Sequence, residues 1–505
     1  MTRDQLLIGL DIGTTGVKGL LVSLDGKILG RSFAEYPLYT PYPGWSEQNP
    51  EDWWNAAVKV LRELVSMASD KIAALGLTGQ MHGAVFLDKA LKVIRPAILW
   101  NDARTGQECV EIEHIVGREN LQKITGNPAL AGFQAPKILW LRKHEPENYR
   151  KVQAILLPKD YVRLKLTGEL ATDVSDASGT LLLDLAKRDW SDEILSVLDI
   201  PRKWLPKVYE SPEITGVISN EAESLTGLRR GTPVVAGAGD NAASAIGVGV
   251  VQEGTGMVSV GSSGVVFVHI DRPRPDPSGA IHCFCHAVPG KYHLMGVVLS
   301  AGASLRWYRD VLASEEQEVA SRMGMDTYDL LMQEAELSPP GADGLFFLPY
   351  LSGERTPHMD PAARGAWIGL SLAHRRHHLV RAILEGVAFA LKDSLVRIQT
   401  MGAKPEELRA VGGGMRSLLW RRIIASVLEV PLRRLVVEEG AAYGAALLAG
   451  VGAGLFTSIY EAVDKAVKLA DECVTPDLKL TDIYRQIYSV YTQLYPSLKR
   501  AGVFR

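Results

Sequence analysis

Apolar residues crowd the chain from Leu6 to Leu10 and again from Val17 to Val22, with Gly13-Thr14-Thr15-Gly16 between them. Two apolar runs joined by a short glycine-bounded turn predict strand, turn and strand. The same arrangement returns near mid-chain, where Met257 to Val260 and Val265 to Ile270 flank Gly261-Ser262-Ser263-Gly264. An internal repeat about half a chain apart predicts two similar halves. Between the repeats, Asn49-Pro50-Glu51-Asp52 starts a helix with acids in its first turn, expected to run to about Met67. Ile72 to Leu77 reads as a strand delivering Gly79-Gln80-Met81-His82-Gly83 at its end. A short apolar strand opened by Gly231-Thr232-Pro233 ends at Asp240-Asn241, and a helix of small residues follows. Ala410-Val411 ends a strand, with Gly412-Gly413-Gly414 turning into a helix. Tyr484, Tyr488, Tyr491 and Tyr495 recur at helical spacing near the C-terminus and read as a packing face.

Composition narrows the class. A chain of 505 residues is too long for one ordinary core, so two or more domains are expected. Hydrophobic residues at 47% and charged residues at 22% fit a soluble globular protein. A net charge of −3 argues against a nucleic-acid or anionic-membrane partner. Four cysteines are too few for a disulfide scaffold and suit a reducing cytosol. No apolar leader precedes the first strand, so no signal peptide is expected. Gly440 to Tyr460 is uncharged and near the length of a membrane span, but it is built mostly of Gly and Ala. It predicts a close-packed helix ending in a glycine-rich loop.

The candidate chemistry gathers at the turns. Two glycines let the backbone of the first turn approach a ligand, and its hydroxyls and N–H groups suit an anion. Lys18 adds a point charge for phosphate, and Asp11 is placed to hold hydrated Mg²⁺. The spacing of a P-loop, G-x-x-x-x-G-K-[ST], is absent. His82, at a strand end, is either a sugar hydrogen-bonding group or an ordinary loop histidine. Trp100 beside Asn101-Asp102 offers an apolar face and polar groups, as sugar sites do; the bland reading is a buried Trp with a surface turn. Asp240 is placed for a site acid, for an N-cap, or for both at once, since a helix start favours ionised Asp and Asp is a preferred cap. Asp173 and Asp176 are explained by a polar turn after a helix and are given no catalytic role. His282-Cys283-Phe284-Cys285-His286 has zinc-ligand composition, but in a strand its cysteines and histidines face opposite sides, so no structural zinc is expected.

Together, Asp11-Ile-Gly-Thr-Thr-Gly, Gly261-Ser-Ser-Gly and Gly412-Gly-Gly resemble the ATP motifs of the actin, hexokinase and heat-shock chaperone superfamily. Lys137 and Trp140, and Gly369, His378, Ala382 and Glu385, resemble the two signatures of its FGGY carbohydrate kinase family; Gln134 departs from the first. The Met81-His82 pair and the run through Trp100 to Asp102 are similar to the family's xylulokinase branch. The resemblance implies an α/β, actin-like/ribonuclease H-like fold of two domains, with duplicated mixed sheets flanked by helices and a cleft between them. The division expected is 1–247 and 248–505, with the last helix packing back on the first domain. It implies phosphorylation of D-xylulose to D-xylulose 5-phosphate by MgATP. Asp240 is then the catalytic base. Met81, His82, Trp100, Asp102, Asp240 and Asn241 bind sugar, and Asp11 binds Mg²⁺. Thr14, Thr15, Gly16, Lys18, Ser262, Gly302, Arg306, Gly413 and Gly414 bind the nucleotide. A cytoplasmic homodimer is implied. Another ketose or polyol such as ribulose stays open as substrate, and so does a non-catalytic sugar sensor or an actin-like polymerising ATPase.

Overall fold

The computed structural model describes residues 5–68 and 71–504. β1 (Leu6–Ile12) and β2 (Gly16–Ser23) form an antiparallel hairpin in which Asp11 faces Lys18, and β3 (Ile28–Glu35) extends it. α1 (Pro50–Ala68) begins at the expected Asn49-Pro50 and buries Trp53, Val60 and Leu64. β4 (Ile72–Gly79) then lies parallel to β1. The helices α2 (Gln134–His144) and α3 (Pro158–Thr167) precede β5 (Ile214–Val217), β6 (Pro233–Val235) and β7 (Ala238–Gly239), which runs straight into α4 (Asp240–Gly247). The first sheet has the order β5-β6-β4-β1-β2-β3, with β7 also paired to β4.

The second half repeats the plan. Its strands are β8 (Thr255–Val260), β9 (Gly264–Ile270), β10 (His282–Cys285) and β11 (Tyr292–Val298). The helices α5 (Gly302–Leu312), α6 (Thr327–Glu336) and α7 (Arg376–Thr400) follow. Then come β12 (Glu407–Val411), α8 (Leu418–Leu428), β13 (Leu432–Leu435), α9 (Ala441–Gly452), β14 (Leu469–Val474) and α10 (Leu478–Arg500). The second sheet has the order β10-β11-β9-β8-β12-β13-β14. The path β3-β2-β1-β4-β6-β5 therefore recurs as β11-β9-β8-β12-β13-β14, with each parallel and antiparallel pairing conserved. The duplication legible in two turns extends through most of both sheets.

The halves are not separable in space. α9, the uncharged Gly/Ala segment, belongs by sequence to the second half, yet it lies on the first sheet. A Cβ on Gly9 of β1 would stand 1.7 Å from the Ala442 carbonyl oxygen, and one on Gly76 of β4 would stand 1.9 Å from that of Ala445. Gly444 gives α9 the same close approach to α4, where a Cβ would meet the Ala243 oxygen at 1.9 Å. Small residues let a helix seat backbone-to-backbone against a sheet, which explains the composition of this stretch without a membrane. Among the described residues no helix is long and apolar enough to cross a membrane.

The last helix differs from expectation. Its tyrosine stripe seats on the second half, because the polar partners it needs are on α7: Tyr484 Oη donates to Glu385 at 2.9 Å and Tyr488 Oη to Asp393 at 2.7 Å. Across the halves, the block from Ala84 to Trp204 shares one apolar core with the second sheet. The His-Cys-Phe-Cys stretch is the expected strand, and His282 is engaged by Asn127 at 2.7 Å. Among the described residues no group of three or more His, Cys, Asp or Glu side chains is placed to hold a metal.

Candidate active site

The first glycine turn is fixed from below by amides. Gln80, at the end of β4, donates to Gly13 O at 3.3 Å and to Gln48 Oε1 at 2.9 Å. Gln48 Nε2 donates to Thr14 O at 2.7 Å, and Trp53 Nε1 donates to Gln48 Oε1 at 3.0 Å. Trp100, expected at the sugar, donates its indole N–H to Thr14 Oγ1 at 3.0 Å. Thr15 points to solvent and Gly16 is buried at the head of β2. A Cβ at Gly16 would stand 2.5 Å from the Ala34 carbonyl oxygen.

Two expected ligands are otherwise occupied. Lys18 pairs with Glu439, just ahead of α9, and Arg31 reaches the same carboxylate at 3.3 Å. Asp102 is a buried carboxylate bonded within its own loop. It accepts from Ser46 N at 2.6 Å and from Arg104 Nη2 at 2.6 Å and Nε at 2.9 Å. Arg104 in turn lies 3.6 Å over the Trp45 ring. The polar atoms of Asp102 are spent holding a loop.

Asp11 and Asp240 converge, from the ends of β1 and β7. Asp11 Oδ1 is buried with no hydrogen-bond partner among the described residues. Burial, and then the charge of Asp240, push the Asp11 carboxyl up to about 7; Lys18 opposes this. Burial pushes Asp240 up to about 6, against hydrogen bonds from Asn241. Those bonds, from Asn241 N at 2.7 Å and Nδ2 at 3.0 Å, both fall on Oδ1 and leave Oδ2 unengaged. Asp240 is the first residue of α4, and Gly239 occupies the N-cap. The carboxylate therefore does not cap its helix, and the structural alternative for Asp240 loses its geometry.

A second corner lies beside Asp240. His82 sits in the left-handed region at φ 68°, which turns its ring away from β4. Its Nδ1 lies 2.6 Å from Gly179 O, and its ring centroid is 4.6 Å from that of Phe133. Burial lowers the ring's pKa to about 3, so it is neutral. A neutral ring that donates from Nδ1 to a carbonyl presents Nε2 as an acceptor. Lys137, buried and without a carboxylate partner among the described residues, donates to His82 O and Gly132 O at 2.7 Å each. Met81 is buried against Gly239, where a Cβ would stand 3.0 Å from its Cγ. Met81 thus brings the loop that carries His82 against Gly239, the residue before Asp240.

The second turn opens on a cavity of about 720 Å³, within the range of small-molecule sites. Ser262, Gly302, Arg306, Gly413 and Gly414 line it. Its outer wall, which sequence reasoning missed, is α6 with Tyr328, Met332 and Gln333. Nothing in their spacing marks a ligand face apart from an ordinary amphipathic helix. Gly302 N and Ala303 N donate to Gly261 O at 2.9 Å and Ser262 O at 3.0 Å, so the start of α5 is docked on the turn.

Sequence reasoning also passed over the segment beneath Asp240. Lys159, Asp160, Asp173 and Asp176 are fully buried, not the polar turn expected of the two later acids. Lys159 Nζ lies 2.7 Å from Asp160, 2.9 Å from Asp173 and 3.1 Å from Asp176. Burial raises Asp176 well above the usual carboxylate range. The only sequence signal was apolar flanks around closely spaced acids.

Comparison with known proteins is consistent over the whole chain. The model of the FGGY family of carbohydrate kinases, N-terminal domain, matches residues 6–247, and that of the C-terminal domain matches 256–453. A xylulose kinase of Escherichia coli (strain K12) is 41% identical across 98% of this chain and 99% of its own. One from Lactococcus lactis subsp. lactis (strain IL1403) is 42% identical across 97% and 96%. The solved structure of a xylulose kinase from Rhodospirillum rubrum superposes with a TM-score of 0.90 at 33% identity, covering 98% of this chain and 99% of that one.

Proposed function

This chain belongs to the FGGY family of carbohydrate kinases, and from that premise we propose that it transfers the γ-phosphoryl group of MgATP to D-xylulose, giving D-xylulose 5-phosphate and ADP. The observation that carries this reading is the position of Asp240. Its charge reaches Asp11 on the phosphate side, and Gly239 before it packs on Met81 on the sugar side.

Phosphoryl transfer needs alignment, charge neutralisation and a proton acceptor near the attacking hydroxyl. His82 Nε2 accepts a hydrogen bond from a sugar hydroxyl, with Asn241 beside it. Asp240 Oδ2 takes the proton of the attacking hydroxyl as the bond to phosphorus forms. The threonine turn at Thr14-Thr15-Gly16 and the serine turn at Ser262 hold the phosphates from opposite sides. The nucleoside lies in the cavity over Gly413-Gly414, with Gly302 and Arg306 at its wall.

Asp11 fits a hydrated Mg²⁺, because a buried carboxylate oxygen without a donor, in a region already rich in negative charge, lacks a cation. When bound, that ion supplies charge neutralisation at the phosphates. Lys18 joins the phosphate site only by leaving Glu439, which gives nucleotide binding a competing ion pair to break.

We place the catalytic division at 1–247 and 248–505, and the enzyme in the cytoplasm as a homodimer; four unpaired cysteines suit a reducing compartment. The test is purified protein with MgATP and a panel of ketoses and polyols, with ADP release as readout. D-xylulose is expected to give the highest kcat/KM. A higher value for ribulose or a polyol reassigns the substrate, and release of ADP without any sugar dependence removes the kinase reading.

A further inference from the structure

We propose that Ser175 is a positioning residue for the catalytic carboxylate, and that the buried Lys159 cluster exists to hold it there. The proposal rests on the reading of Asp240 as the base.

The links are short and continuous. Lys159 Nζ binds Asp173 Oδ1 at 2.9 Å. Asp173 Oδ2 accepts from Ser175 Oγ at 2.5 Å and from Ser175 N at 2.8 Å. Ser175 Oγ, its proton committed to that carboxylate, accepts from Gly239 N at 3.1 Å. Gly239 is the residue before Asp240 and the N-cap of α4. A glycine brings no side chain to satisfy its own helix start, and its peptide is the last fixed point before the base. The hydroxyl of Ser175 supplies that fixed point. Arg163 holds the preceding turn in the same manner, donating to Val235 O at 2.7 Å and Ala236 O at 2.5 Å.

The arrangement is costly for a merely structural role. Three carboxylates share two cations where none is exposed to water. Buried ion clusters contribute little to stability compared with apolar packing of the same volume. They do fix geometry, because each partner is pinned by the others. A base must stay within a fraction of an ångström of its productive position. Asp240 sits at a chain junction between a two-residue strand and a helix, so its position depends on what grips the peptide behind it.

The test compares two serine-to-alanine variants of the whole enzyme. Ser175→Ala removes the link to Gly239. Ser211→Ala removes a bond to the same Asp173 oxygen, 3.2 Å long, without touching Gly239. The expected result for Ser175→Ala is a kcat lowered at least tenfold, with KM for D-xylulose and the calorimetric Kd for MgATP within twofold of wild type. Ser211→Ala is expected to keep kcat within twofold. Full kcat in Ser175→Ala overturns the proposal, and so does an equal loss in both variants, which marks general loosening of the cluster. Should Ser175→Ala fail to fold, Ser175→Cys takes its place: its thiol fills the space but is only a weak acceptor for Gly239 N, and a wild-type kcat in that variant overturns the proposal. A wild-type rate in Asp240→Asn overturns the base assignment itself and is read separately from all of these.

Discussion

Asp240 holds Asp11 protonated to higher pH. The two carboxylates lie at the ends of β1 and β7, the strands on either side of β4, and burial, with the charge of Asp240 added to it, brings Asp11 to about 7. Protons and Mg²⁺ therefore compete for Asp11. The Mg²⁺ concentration for half-maximal rate is expected to rise as pH falls below about 7, approaching tenfold per unit. Magnesium titrations on either side of neutrality check this; a half-saturation point independent of pH removes Asp11 as the ligand.

Asp240 carries the second pH effect. Its pKa is raised to about 6, so it is ionised above that pH and protonated below. A base is lost on protonation, so kcat/KM for the sugar is expected to fall on the acid side, by about tenfold per unit below the pKa. The limb should vanish in Asp240→Asn, whose kcat is expected to be lower by ~10²-fold or more. Stability should hardly change, because Gly239 and not Asp240 is the cap. A folded Asp240→Asn enzyme with near-normal turnover would refute the assignment.

His82 allows sugar contact and backbone strain to be separated. At φ 68° a glycine is unstrained, whereas alanine costs about 1–2 kcal/mol. Both His82→Gly and His82→Ala are expected to weaken ketose binding by about 1–3 kcal/mol through the lost hydrogen bond. The alanine variant keeps the strain that His82 already bears, so the glycine variant should be the more thermally stable of the two. MgATP affinity, read by calorimetry, should stay near wild type in each, and an equal loss of both ligands would place His82 outside the sugar site.

Gly302 is the sharpest probe of the nucleotide side. A Cβ there would lie 2.3 Å from Gly261 O, on the phosphate turn. Gly302→Ala must displace that turn, and overpacking of this kind costs about 1–3 kcal/mol. A weaker Kd for MgATP with an unchanged KM for the sugar is expected; the reverse pattern would move the nucleotide elsewhere.

Lys137→Met should destabilise the protein and weaken the sugar together. It strips the donor from His82 O and Gly132 O, and a buried carbonyl left unpaired costs about 1–3 kcal/mol. Thermal unfolding and ketose KM, measured on the same preparation, are expected to move in parallel.

The sequence was most informative where glycine and hydroxyl residues punctuate apolar runs. Both glycine turns, the strand that leads into Met81-His82 and the junction at Asp240 are where patterning placed them. Side-chain partners were less legible. Lys18 and Asp102 have the right chemistry for a ligand, but Glu439 and Arg104 lie far off or unmarked in sequence and claim them first. Asp173 and Asp176 read as solvated acids because periodicity carries no sign of Lys159 between them. The α6 wall of the cavity is amphipathic like any surface helix. The last helix kept its predicted face but not its predicted neighbour, since an apolar stripe states that it is buried and not against what.

The seating of α9 on β1 and β4 bears on how the molecule is made. Gly9 and Ala442 touch, yet they leave the ribosome far apart in time. At about 5–20 residues per second, the first sheet waits on the order of tens of seconds for the helix that covers one face. Until then Leu7 and Ala74, packed against α9 in the finished core, are open to water. The nascent first half is thus a natural client for a chaperone that shields apolar surface, and its release is timed by the arrival of a segment near the other end of the chain.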